Sequence, residues 1–185
     1  MVGSQTMTWP SPTPPPPPPI PHHGGELEML NAFLDYYRAA LLDRAWGLTA
    51  EQLQIALAPS TLTLSRLIGH MAGVEQTWYA FRFAGEEADD LVASLDWEAD
   101  ADAEMTYAQS LSVEELLAWF NSACDDSRAR VAAADSLDQE SVRGHPRDGH
   151  TWNLRWIMVH MIEEYARHCG HADLIRESID GNTAG

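Results

Sequence analysis

The chain has 185 residues, 45% of them hydrophobic and 21% charged, which describes one ordinary globular domain rather than a disordered or fibrous chain. Eleven basic residues against 28 acidic ones give a net charge of −17, a surface that repels phosphate backbones and anionic lipid, so neither nucleic acid nor membrane is expected as a partner. A core of about 160 residues folds without disulfides or a structural metal, so any metal here serves chemistry rather than folding.

Residues 1–25 stand apart. The run Pro14 to Pro19 has no backbone donors and favours extended polyproline II, and with Pro10, Pro12, Pro21, Gly24 and Gly25 it predicts a disordered, proline-rich tail. Met7 is a second candidate start, and His22 and His23 are read as tail residues. From residue 26 a helical domain is expected to run to 181. Leu27, Leu30, Leu34, Tyr37 and Leu41 recur at three- and four-residue steps and predict a first helix from about Glu26 to Trp46. Glu26 and Glu28 suit its positive N-terminal end, and Thr49-Ala-Glu-Gln52 predicts a short capped turn beyond Gly47.

The second helix begins after Pro59, capped by Ser60 or Thr63, and runs through Leu64, Leu67, Ile68, Met71, Val74 and Trp78 to about Phe83, with Gly85 ending it. An acidic stretch follows from Gly85 to Leu111. Its Asp96, Glu98, Asp100, Asp102 and Glu104 predict a solvated, irregular crossover. Ser112 with Glu115 three residues on starts the third helix, which runs to about Ala134. A second linker holds Gly144-His145-Pro146 and Gly149-His150. The last helix starts near Thr151 or Asn153 and reaches about Glu177. No β-pattern or repeat appears, so the predicted architecture is an all-α four-helix bundle with long middle connections.

No Lys or Arg precedes Arg38, and no long apolar run follows Met1, so no secretory leader is expected. No stretch approaches the roughly 18 apolar residues that cross a bilayer. Cys124 and Cys169 fall in separate helices and make no disulfide framework, which points to the reducing cytoplasm.

The last helix carries the chemistry. Four residues of helix turn about 400°, so His160, Glu164 and His168 lie along one slowly rotating stripe, with His171 three residues further on. Leu154, Ile157, Met158, Met161 and Tyr165 flank that stripe and turn part of it inward. A buried imidazole or carboxylate without a partner costs several kcal/mol, and a metal ion satisfies such a stripe well. A further ligand must come from a facing helix. His70, amid Leu67, Ile68, Met71 and Val74, is the only histidine of the first three helices, and Gly69, Ala72 and Gly73 beside it allow close helix approach. The resulting ligand set is His70, Glu164 and His168. Two imidazoles and one carboxylate suit Zn2+ and leave a position open, while Ni2+, Mn2+ or Fe2+ accept the same donors. Cys169 points about 100° away from His168 and is read as a buried, inert thiol.

Two segments resemble a known family. The run from Ser60-Thr61-Leu62-Thr63-Leu64 through Leu67-Ile68-Gly69-His70-Met71-Ala72-Gly73-Val74-Glu75 is similar to the second helix of DinB-like proteins. Leu154-Arg155-Trp156-Ile157, on through His160, Glu163-Glu164 and Arg167-His168-Cys169-Gly170-His171-Ala172-Asp173 to Asp180-Gly181, is similar to their last helix. The match is closest to the actinobacterial branch of DinB-like proteins, near the mycothiol-dependent maleylpyruvate isomerases, and spans roughly Leu30 to Gly181. The resemblance implies a bundle of DinB/YfiT type, a homodimer and a three-ligand metal site. Many members use three histidines; here Glu164 takes the place of one, as in the isomerases, so His160 and His171 are the alternative ligands. It also implies a mycothiol-type thiol as cosubstrate and a small electrophile as its target. Arg82, Arg155 and Arg167 are then candidates for gripping acidic groups, and Glu163 and Asp173 for orienting ligand imidazoles. A metal-dependent hydrolase, with Glu75 or Glu163 as base, and a non-enzymatic metal-binding stress protein are the alternative functions.

Overall fold

A computed structural model describes residues 9–10, 13–87 and 90–183. Met7 and the remainder of the first eight residues, Pro12 among the tail prolines, and the two linker residues before Asp90 lie outside the described residues. The described chain is all-helical, with one isolated antiparallel bridge between Glu140 and Asn153 and no strand. Its helices are α1 (Glu26–Ala45), α2 (Ala50–Leu53), α3 (Leu64–Glu75), α4 (Asp90–Ser94), α5 (Ala103–Ala108), α6 (Val113–Ala133) and α7 (Leu154–Asp180). Beyond Glu75, α3 continues as a π-helical stretch, Gln76–Ala84. Together α1, α3 with its extension, α6 and α7 make the four-helix bundle.

Local chemistry sets the helix starts. Thr63 accepts a hydrogen bond from the Arg66 N–H at 3.2 Å, and Asn153 accepts one from Trp156 at 2.9 Å. Ser112 and Glu115 exchange bonds in a capping box, as do Thr49 and Gln52. The π-helical extension ends at Gly85, whose φ of +75° is open to glycine without strain. α1 packs along α7, and α3 sits against α5, α6 and α7. Leu34 and Leu41 from α1, Leu64, Leu67, Ile68 and Met71 from α3, Phe120 from α6, and Ile157, Met158, Met161 and Tyr165 from α7 form one continuous core. The apolar faces read from helical spacing are therefore largely the faces that are buried, except that Leu27, in the first turn of α1, is exposed.

The acidic crossover differs from its expected solvated form. It holds α4 and α5, and Ala103, Glu104, Met105 and Ala108 are buried against α3. Gly69 permits this: a Cβ there would lie 2.2 Å from the Ala108 Cβ. The small residues of α3 thus receive α5, an element the acidic composition conceals. Near the N-terminus the Trp9 ring lies 4.8 Å from Trp46, and its N–H donates to the Leu48 carbonyl at 2.8 Å. Residues 14–18 run without helix over α1 and α6, where prolines wall a hollow of about 330 Å³ with Arg38, Cys124 and Arg128.

Candidate metal centre

α3 and α7 bring His70, Glu164 and His168 together. One ligand atom from each lies within 4.8 Å of the other two. His168 Nε2 stands 3.4 Å from Glu164 Oε2, and the rings of His70 and His168 meet edge to face at 4.9 Å. The cluster sits at the rim of the bundle, where the side chains of His70, Glu164 and His168 are 21%, 14% and 10% exposed. Burial, with His70, His171 and Arg167 nearby, pulls the His168 imidazolium down to about 4, so the ring is neutral at neutral pH.

Glu104 completes the site from an unexpected direction. Its Oε1 lies 2.9 Å from His70 Nδ1, and its side-chain stem packs against Gly73. A proton on Nδ1 donates to this carboxylate and leaves Nε2 as the ring's lone pair. The other oxygen, Oε2, is buried and has no hydrogen-bond partner in the structure. Sequence reasoning missed Glu104 because it sits in a run of acidic residues. The one available signal was Met105 and Ala108, apolar residues three apart on one face of a short helix.

The other candidates are distributed as follows. His160 stacks on Trp156 at 5.0 Å and meets Trp78 at 4.7 Å, and its Nε2 is 3.7 Å from Glu164 Oε1. With Glu163 and Glu164 it forms a neighbouring group of three donors. His171 Nδ1 lies 3.3 Å from His168 Nδ1. Arg167 pairs with Glu163 and reaches to 3.6 Å from Glu164, so it stands at the mouth of the cluster. Asp173 pairs with Arg44 and ties α7 to α1. Arg155 is engaged by Glu26 and Asp138, and Arg82 donates to the Gly144 carbonyl at 2.8 Å.

Glu75 is fully buried in a core network. Arg38 binds both its oxygens, at 2.8 and 2.9 Å, and the Tyr165 hydroxyl donates at 2.7 Å. Cys124 lies 3.8 Å from the same carboxylate, and desolvation by burial, then the Glu75 charge, push its thiol up to about 12. Cys169 is buried too, beside the Tyr37 carbonyl. On the far side of Glu75 a cavity of about 610 Å³ opens between the π-helical stretch and α6, lined by Gln76, Arg82, Trp97, Ser127 and Arg130 among others. It shares no lining residue with the His70 cluster.

The donor set fits a divalent cation. It offers two imidazoles and one carboxylate within reach of one point, with a carboxylate behind one ring to fix its tautomer, the arrangement that metal-binding histidines favour. Among curated proteins no sequence matches the chain. A family model described as mycothiol-S-transferase matches residues 29–181, well over half of the chain and the four bundle helices apart from the first three residues of α1. The chain therefore belongs to the mycothiol-S-transferase family, in keeping with its DinB-like motifs.

Proposed function

We propose that the protein is a metal-dependent S-transferase that uses mycothiol, or a thiol of that type, against a small electrophile. In this reading His70, Glu164 and His168 hold one divalent cation, Zn2+ ahead of Ni2+, Mn2+ or Fe2+. The observation that carries it is the meeting of two imidazoles and a carboxylate within 4.8 Å at an accessible rim, in a chain of this family. A cation held there supplies Lewis acidity, which favours the thiolate, the nucleophilic form of a thiol.

The chain's own groups support an incoming thiol. Cys124 is buried with its thiol raised to about 12, and Cys169 is buried, so neither serves as nucleophile. Glu104 orients His70. Arg167, about half exposed and paired with the equally exposed Glu163, can exchange that solvent-screened partner for an acidic group of the thiol or substrate. The thiol gives up its proton to solvent and forms a sulfur–carbon bond at the electrophilic carbon. An alkyl halide then releases halide with the displaced electron pair, an epoxide opens its carbon–oxygen bond to an alkoxide that takes up a proton, and an unsaturated acid moves its π pair onto the neighbouring carbon, which is protonated. The hydrolase alternative wanted Glu75 or Glu163 as a free base. Glu75 is held in the core by Arg38 and Tyr165, which removes it from that role. The cytoplasmic location and the homodimer rest on cysteine usage and on the family resemblance; among the described residues no helix is long and apolar enough to cross a membrane.

The test is to incubate zinc-loaded protein with mycothiol and a panel of alkyl halides, epoxides and unsaturated acids, following loss of free thiol. Thiol-dependent turnover that disappears in His70→Ala and His168→Ala, together with the tightly bound zinc, is the expected result. Turnover without thiol, or full tight zinc in His168→Ala, would overturn the proposal.

A further inference from the structure

The connection between α6 and α7 is not a loose linker. Glu140 and Asn153 bridge at its base, and Ser141 N donates to the Trp152 carbonyl at 2.8 Å. Nearer the tip, His145 N donates to the His150 carbonyl and Gly149 N to the His145 carbonyl, both at 2.8 Å. The hairpin is also fastened to the π-helical stretch: Val142 N donates to the Phe83 carbonyl at 3.1 Å and Arg143 N to the Arg82 carbonyl at 3.0 Å. Gly144 lets the two arms close, since a Cβ there would sit 2.4 Å from the Gly149 carbonyl oxygen.

This tip presents three donors. The rings of His145 and His150 stack at 4.9 Å with 9° between their planes. Asp148 Oδ1 lies within hydrogen-bond reach of His150 Nδ1 at 2.6 Å and stands 3.2 Å from His145 Nδ1. One ligand atom from each of the three residues lies within 4.8 Å of the other two. Bonds of about 2.0–2.1 Å at tetrahedral angles would set ligand atoms about 3.3 Å apart. The His145–Asp148 pair already has that spacing, and the shorter His150–Asp148 hydrogen bond opens when an ion replaces its proton. The Arg147 N–H, which donates to His145 Nδ1 at 3.3 Å, is the long contact the ion displaces.

We propose that His145, Asp148 and His150 form a second site, separate from the His70 cluster, for a divalent transition metal such as Zn2+, Ni2+ or Cu2+. Two imidazoles and one carboxylate select these ions over Mg2+ and Ca2+, which prefer all-oxygen shells. The donors are substantially exposed, so water completes the coordination and affinity is lower than at the bundle rim. The bound ion pins the hairpin tip. Trp152, whose ring is 4.8 Å from His150, reports on it.

Chelator-stripped full-length protein titrated with Zn2+ by calorimetry should take two equivalents. His145→Ala with His150→Ala should lose the weaker one, and His168→Ala the tighter. Cu2+ should quench tryptophan emission through the weaker site, and His150→Ala or Trp152→Phe should reduce that quenching. Stoichiometry, affinities and quenching unchanged in the double variant would overturn the hairpin site. So would a single equivalent in the wild type that vanishes in His168→Ala. A single equivalent that survives His168→Ala but is lost from the double variant would uphold the hairpin site while refuting the ligand set at the bundle rim.

Discussion

Replacing Glu75 with leucine leaves the Arg38 guanidinium, only 4% exposed, without its bidentate partner, and leaves the Tyr165 hydroxyl without an acceptor. Breaking a buried ion pair from one side costs about 3–5 kcal/mol. Arg38 retains Asp35 at 3.0 Å, which softens the loss toward about 3 kcal/mol. For a domain of this size that lowers Tm by about 6–12 °C. Removing both charges, as Arg38→Met with Glu75→Leu, leaves no unpaired ion; such exchanges are often neutral or better, so most of the loss should return, and adding Tyr165→Phe removes the remaining orphaned hydroxyl. Urea unfolding followed by far-UV circular dichroism, with the slope checked for constancy, measures all four proteins. A double variant no more stable than Glu75→Leu, or a single substitution that costs under about 1 kcal/mol, would refute the network's role in the core.

Glu104→Gln keeps the size of the side chain but weakens its hold on the His70 ring, so metal affinity at the rim should fall by about 10- to 100-fold in competition with a chromogenic chelator, with the fold intact. Gly69→Ala drives a methyl into Ala108 and should cost about 1–3 kcal/mol, read as a lower Tm; an unchanged Tm would mean that α5 does not sit against α3. Cys124, with its thiol raised to about 12, carries almost no thiolate at pH 8 and should resist a disulfide reagent until urea is added.

The sequence was most informative where periodicity and capping agree. Ser112 with Glu115, Asn153 and Thr63 mark helix starts that the structure reproduces, and the apolar stripe of α7 turns His168 inward as its spacing demands. His70, Glu164 and His168 could be paired from the sequence only with the help of the DinB-like resemblance, since the apolar face around His70 and the helical step from Glu164 to His168 left His160 and His171 as alternatives. Glu104 could not. Its burial depends on α5 reaching across to Gly69 and Gly73, a contact between segments more than 30 residues apart that no local pattern encodes. The π-helical extension was hidden for a related reason: helical spacing through Trp78 and Phe83 looks continuous whether the backbone bonds skip four residues or five. The buried pairing of Glu75 with Arg38 joins two helices whose register is set by the whole core, so the carboxylate read equally well as an open acid.

The wide turn from Gln76 to Ala84 sets where the last backbone oxygens of that segment point. Phe83 and Arg82 offer theirs to the amides of Val142 and Arg143 in the hairpin, far downstream in the chain. Deleting one residue within this stretch would let it rewind as an ordinary helix, with about 100° per residue in place of the smaller turn of the wider one, and would change the direction of those oxygens around the axis. His70, upstream of the deletion, would keep its place, while the hairpin would lose its moorings. A single-codon deletion could therefore cut one cluster of histidines free of the scaffold and leave the other untouched.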